Sequence, residues 1–267
     1  MIPNIFHFCY FGGRPYSLVD YLAVKSAFDV NHPEKMYMYV DHEPTGPYWQ
    51  KAKPYLEIVS TFPPATFAGV PVPHPAHKAD IVRLQKLLPL GGVYLDNDVI
   101  CAKPFAPLYK YPLVLGKEIW NGTRLKIYAE NAWVCLCSAV VLAQPNSPFL
   151  SRWLEGFDPT KSLWRGFRST GPQDRYYSEI SIKYPRFLAQ NYPEEIHVEE
   201  RESFFNPGYT DEELIPFFED SHPELFEGAY CHHLWANASY DRYLKTLTEQ
   251  DIKNSDTSFA RLAQRFI

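Results

Sequence analysis

Asp96 and Asp98 are the residues with the most chemistry to offer. They stand one residue apart in Leu-Asp-Asn-Asp-Val, directly after the short apolar run Gly-Val-Tyr-Leu at 92–95. That run reads as a buried strand, and in an open α/β sheet ligands bind beyond the carboxyl ends of the strands. Two carboxylates there suit a hard divalent cation, with oxygen ligands and positions left for a substrate phosphate. Upstream, Asp80 and Arg83 lie three apart in an amphipathic stretch that begins near His77, so both fall on one face of a helix and can act together. Each pattern also has a plain explanation: a solvated ion pair for Asp80 and Arg83, an Asx turn for Asp96 and Asp98. His232 and His233 alternate in direction on a strand, so at most one points into a site. His74 and His77 invite a zinc reading, but their proline-rich surroundings supply no further ligand.

The elements that must position these residues follow from periodicity and breakers. Residues 4–11 form a dense apolar-aromatic run ended by Gly12 and Gly13, a buried first strand and tight turn. Helical spacing over 16–31, a strand at 36–40, a short helix over 46–56 and a strand at 58–62 continue the βαβ pattern of a mostly parallel sheet. The span 63–75 holds five prolines and reads as a loop. The helix from His77 is expected to stop at Pro89 and the Gly91–Gly92 pair, glycines that serve a turn and close backbone approach. Strands are expected at 113–116 and 132–142, and helices at 146–157 and 173–180. The span 183–228 shows only short strand candidates. A strand then loop over 229–239 and a polar helical tail complete the chain. No internal repeat or linker is visible.

Composition bounds the class. A chain of 267 residues suits one sizeable domain, and 46% apolar residues argue for a folded globule. Aromatics, at 16%, exceed what packing needs and often line sugar- or base-binding clefts, although Tyr and Trp also serve as core. A net charge of −5 with no basic run argues against nucleic acid as a partner. The five cysteines include no Cys-x-x-Cys pair, and Cys135 and Cys137 share a strand face as packing residues. This argues against a disulfide framework and for a reducing compartment. No signal peptide and no run of roughly 18 apolar residues is visible, so a cytoplasmic protein is expected.

Three blocks in order carry a resemblance. Ile-Pro-Asn-Ile-Phe-His-Phe-Cys-Tyr-Phe-Gly-Gly opens the chain, Lys-Ala-Asp-x-x-Arg and Gly-Gly-Val-Tyr-Leu-Asp-x-Asp-Val stand in its first half, and His-Leu-Trp-Ala-Asn-Ala-Ser lies near its end. Together they resemble the DXD-containing sugar-binding glycosyltransferases, a superfamily that takes in mannosyltransferases, α-1,4-galactosyltransferases and the glucosyltransferase domains of large clostridial toxins. The resemblance covers residues 2 to about 240. It implies an α/β GT-A fold, with a mostly parallel central sheet flanked by helices. It also implies retaining transfer of a hexose from a nucleotide sugar, UDP-linked more often than GDP-linked, to a glycan or glycolipid, with Mn²⁺ or Mg²⁺. Carried over, Asp98 matches the metal-ligating carboxylate, and Asp96 the one that touches ribose and the metal or its water. Asp80 and Arg83 match the pair that holds the donor sugar's hydroxyls and diphosphate. Tyr10 stands where the family usually has Trp against the nucleobase, with Phe8 and Tyr94 nearby on the strands and Asn97 inside the motif. His233 matches a carboxyl-terminal metal ligand or diphosphate contact, Trp235 and Ser239 close over the phosphates, and Asn237 shares that role. Asn131 matches an Asn near the sugar.

The expected organisation is one domain over 1–267: a nucleotide-sugar-binding half at 1–110, an acceptor side with closure of the metal site at 111–245, and a helical tail at 246–267. A cytoplasmic enzyme of surface-glycan assembly that rests peripherally on a membrane fits these expectations. Two other classes fit parts of the pattern. Leu-Asp-Asn-Asp-Val also resembles the nucleophile motif of haloacid-dehalogenase-type phosphatases, for which Asp251 and Asp256 offer the only later acidic pair of suitable spacing. A non-catalytic nucleotide-sugar-binding protein is the other.

Overall fold

The computed structural model describes residues 1–72, 75–119, 134–158 and 179–267. The chain opens as β1 (Ile5–Tyr10), α1 (Leu18–Asn31), β2 (Lys35–Val40), α2 (Pro47–Ala52) and β3 (Glu57–Ser60). A small hairpin, β4 (Thr66–Phe67) and β5 (Val70–Pro71), precedes α3 (Pro75–Leu90), β6 (Gly92–Leu95) and β7 (Val99–Cys101). Then come β8 (Leu113–Ile119), β9 (Val134–Ala143), α4 (Pro148–Glu155), α5 (Tyr184–Asn191), β10 (His197–Glu199), α6 (Arg201–Phe204) and α7 (Asp211–Phe218). The chain closes with β11 (Cys231–His233), α8 (Ala236–Ser239), α9 (Glu249–Asn254) and α10 (Ser258–Ala263).

Seven strands form one sheet in the order β10-β8-β9-β6-β1-β2-β3. β1, β2, β3 and β6 are parallel, and β9 runs antiparallel between β6 and β8. From β1 the chain moves outward through β2 and β3, then returns to place β6 on the other side of β1. That reversal opens a crevice beyond the carboxyl ends of β1 and β6, where doubly wound sheets bind ligands. Both faces are covered. Phe6, Phe8 and Tyr10 of β1 pack into one apolar layer, while Cys9 joins the other with Ile81, Leu84 and Leu87 of α3. Two buried faces are why β1 reads as a continuous apolar run rather than an alternating one.

Several expectations shift. α3 runs through Pro89 to Leu90: the proline forfeits one backbone bond, but the Gly91 N–H donates to Leu87 O at 2.7 Å and the Asn146 N–H to Leu88 O at 2.6 Å, which closes the end. Part of the expected loop at 63–75 is the β4–β5 hairpin. The span 183–228 holds α5, α6 and α7, whose brevity and prolines at 185 and 216 blur any helical period. Strand β7 was not expected; it pairs antiparallel with β11 in a separate two-stranded sheet. All five cysteines are free and buried. Most of the helix expected at 173–180 lies outside the described residues. No helix among the described residues is long and apolar enough to cross a membrane.

Candidate active site

The strand that carries the two aspartates is anchored at its start. Gly91 and Gly92 adopt φ of 65° and 109°, in the region that favours glycine. A Cβ on Gly92 would lie 2.3 Å from Ile5 O and 2.9 Å from His7 Nε2, so β1 and its histidine press directly on the turn. The Gly91 carbonyl can only accept, so His7 Nε2 carries the proton and donates to it at 2.8 Å, while the Tyr39 hydroxyl donates to Nδ1 at 2.9 Å. Burial lowers the His7 pKa to about 4, which keeps the ring neutral. The glycines thus do the turn and close-approach work expected of them.

From this anchor β6 delivers Asp96 beside the pair on α3. Arg83 places one nitrogen 3.1 Å from Asp80 Oδ1 and 3.3 Å from Asp96 Oδ1, and its guanidinium lies 4.2 Å above the Tyr94 ring. The Tyr94 hydroxyl donates to Asp96 Oδ1 at 2.8 Å, and Arg83 also donates to the Ser138 carbonyl. Asp80 and Arg83 are only 1% and 3% exposed, so the solvated-pair explanation fails. The hydroxyls of Ser138 and Ser181 donate to the two Asp80 oxygens. Burial nevertheless outweighs the adjacent Arg83 and leaves the Asp80 pKa raised. Asp80 therefore holds Arg83, and Asp96, with its side chain 31% exposed, meets the cleft.

Asp98 is reached from the far end of the chain. β11 pairs with β7 so that His233 lies opposite Val99, and the Leu234 N–H donates to Asp98 O at 2.8 Å. His233 Nε2 then sits 3.2 Å from Asp98 Oδ1, while Asp98 Oδ2 accepts the Ala236 N–H at 2.8 Å. Burial opposes both charges, yet the pairing prevails: the Asp98 pKa is lowered and that of His233 raised. Asp96, Asp98 and His233 offer one donor atom each, all within 4.8 Å of one another. Two carboxylates and an imidazole fit a divalent cation such as Mn²⁺ and leave coordination positions for phosphate oxygens. His232 points the other way, where its Nδ1 donates to Asn206 O at 2.6 Å, as alternation requires.

The cleft has a volume of about 430 Å³. Of the remaining expected residues, Tyr94, Asn97, Trp235 and Asn237 line it. Asn97 donates to Cys9 O at 2.7 Å, which ties the motif to the end of β1. Trp235 adopts φ 54°, donates from Nε1 to Pro207 O at 2.8 Å and packs against His233 at a tilt, with centroids 4.2 Å apart. Tyr10 also reaches the wall, but its ring packs on Tyr16, its hydroxyl donates to Pro15 O at 3.0 Å, and the Arg14 guanidinium covers one face at 4.6 Å. Half-buried Phe11, its neighbour, is the more open ring. Phe8 is not at the cleft: alternation along β1 turns it fully into the core. Ser239 is buried and donates to Leu234 O at 2.6 Å, so it braces the turn after β11 rather than meeting a ligand. Asn131 and His74 lie outside the described residues.

Sequence reasoning missed Ser138, Ser181 and Glu118. Glu118 lines the cleft from β8, and burial raises its pKa. Its signal was visible, a carboxylate two residues beyond the apolar run Leu-Val-Leu-Gly at 113–116; Ser181 has no comparable signal. The phosphatase reading loses its second acidic pair, because Asp251 caps α9 through Thr248 and Asp256 pairs with Arg261.

Residues 20–115 match a family described as glycosyltransferase sugar-binding region containing DXD motif. The chain is 31% identical to Glucan organizing enzyme 1 of Cryptococcus neoformans var. grubii over 277 residues, covering all of this chain and 71% of that protein. Among solved structures, the bifunctional glycosyltransferase WbbM aligns with a TM-score of 0.50 at 9% identity, over 99% of this chain and 51% of that one. The glycosyltransferase GlyE of Streptococcus pneumoniae aligns with a TM-score of 0.50 at 12% identity, over 99% and 63%. The chain thus spans about half and somewhat under two thirds of those two structures. At such identities the likeness speaks for the fold alone, and that fold is the expected GT-A arrangement.

Proposed function

Because the chain belongs to the glycosyltransferase family whose sugar-binding region contains a DXD motif, we propose that it moves a hexose from a UDP-sugar to a glycan or glycolipid hydroxyl, with retention at the anomeric carbon and with Mn²⁺ or Mg²⁺. The observation that carries this reading is the meeting of Asp96, Asp98 and His233 beside the buried Asp80–Arg83 pair, at the point where the strand order reverses. The glycan acceptor is in keeping with the name of the Cryptococcus relative, Glucan organizing enzyme 1.

Breaking a sugar–diphosphate bond builds negative charge on the leaving diphosphate and positive charge on the ring. A cation held by Asp96, Asp98 and His233 would act as a Lewis acid toward the diphosphate. Arg83 is fixed by Asp80, Asp96 and the Ser138 carbonyl, so its charge is aimed before the reaction begins and needs no reorganisation during it. Trp235 and Asn237 stand at the rim to close over the phosphates, and Phe11 offers the nucleobase the open π-face that Tyr10 lacks.

The test is donor binding and hydrolysis across a panel of UDP- and GDP-sugars, with Mn²⁺ and with EDTA. Metal-dependent turnover of one UDP-sugar is expected. Binding without turnover would favour the non-catalytic module, and no binding of any nucleotide sugar would overturn the function while leaving the fold intact.

A further inference from the structure

Among the described residues, four carboxylates line the cleft: Asp20, Asp96, Asp98 and Glu118. Three are accounted for. Asp20 accepts from the Ser17 backbone and hydroxyl and pairs with Arg14; Asp96 is held by Tyr94 and Arg83; Asp98 is held by Ala236 and faces His233. Glu118 is different. It is 7% exposed, and its Oε2 is buried with no hydrogen-bond partner among the described residues. The Cys137 thiol, a weak donor, bonds to its carboxyl group. A buried carboxylate so poorly satisfied needs an explanation, since Leu or Val would fill the same strand position at no such cost.

Its place supplies one. The Asp96 N–H donates to Ala139 O at 2.9 Å, so β9 continues past the end of β6, and β8 continues beside it with Glu118 opposite Cys135. Glu118 shares its sheet face with Gly116, where an added Cβ would strike Phe204 and Phe205, and the Phe205 ring packs edge-on to His233 at 6.0 Å. Glu118 is thus the floor of the cleft just beyond the Asp96–Asp98–His233 cluster. A sugar hung from a diphosphate at that cluster, beside Arg83 on the cleft wall, has this floor beneath it.

We infer that Glu118 is a catalytic residue that touches the transferred sugar, its carboxylate set against the positive charge that grows on the ring as the donor bond breaks. The inference rests on the function proposed for this site. The bond that breaks joins the anomeric carbon to a diphosphate oxygen, and its electron pair leaves with the nucleoside diphosphate. The bond that forms joins that carbon to the acceptor hydroxyl oxygen, whose proton passes to the released diphosphate. Glu118 supplies charge and forms no bond in this step.

The experiment compares the wild type with Glu118→Gln and Glu118→Asp on the donor that the wild type turns over. It reads kcat and KM for transfer and, separately, Mn²⁺-dependent binding of UDP, which has no sugar to touch Glu118. Glu118→Gln is expected to lose on the order of 100-fold in kcat while binding UDP within about twofold of wild type, with Glu118→Asp in between. A Glu118→Gln enzyme with wild-type kcat overturns the inference. So does a parallel loss of UDP binding, which would make Glu118 a support of the metal cluster. A wild type that turns over no nucleotide sugar fails one stage earlier and overturns the function itself.

Discussion

At the scale of single residues, the site divides its charges by burial. Asp80 is sealed in and holds Arg83, whereas Asp96 and Asp98 line the cleft. Asp98→Asn tests this division. The amide oxygen still accepts the Ala236 N–H, so the fold is retained, but the negative ligand is gone. Metal-dependent UDP binding should weaken at least ~10-fold, as titration calorimetry with and without EDTA would read, and wild-type affinity in this variant would remove Asp98 from the metal site. Asp80, Arg83, Asp96 and Asp98 were legible because their spacing of three and of two fixes their relative direction on a helix and after a strand. Ser181, which holds Asp80, was not, because nothing local in its segment points to a partner 101 positions away.

At the scale of elements, the contact between β1 and the Gly91–Gly92 turn decides where β6 begins. His7 is neutral in the fold, with a pKa lowered by burial to about 4, and returns to its ordinary value near 6.5 in the unfolded chain. Between those values the unfolded chain binds the additional proton, so this contribution to stability falls as pH falls. On going from pH 6.5 to 5 the wild type should lose about 1.5 kcal/mol more stability than His7→Gln, which keeps a donor for the Gly91 carbonyl but cannot titrate in this range. Urea titrations at the two pH values would show it, and equal losses would refute the neutral buried His7. The first half of the sheet was readable because β1 and β2 are each followed by a helix. β7 was not, because Val99–Cys101 becomes a strand only by pairing with β11, and local sequence carries no sign of that partner.

At the scale of the molecule, the sheets cross the boundary between the two expected halves. β9, from the second half, lies between β6 of the first half and β8, and β11 pairs with β7. We propose that the chain unfolds as one unit despite its 267 residues. Scanning calorimetry should give a single transition whose calorimetric and van 't Hoff enthalpies agree. Two separated transitions would make 1–110 and 111–245 independent domains.

The seam between β7 and β11 has a further consequence in time. Asp98 and His233 come from opposite halves, and among the described residues His233 completes the three-donor set with Asp96 and Asp98. As the chain leaves the ribosome, the aspartates emerge long before residue 233, so the full ligand set does not exist until that histidine has been made. A cation bound by this set would stabilise the fold by mass action, by about 2.7 kcal/mol at a hundredfold excess over its dissociation constant. On the function proposed above, loading such an ion would follow the synthesis of residue 233 and would tie the two halves together at this seam.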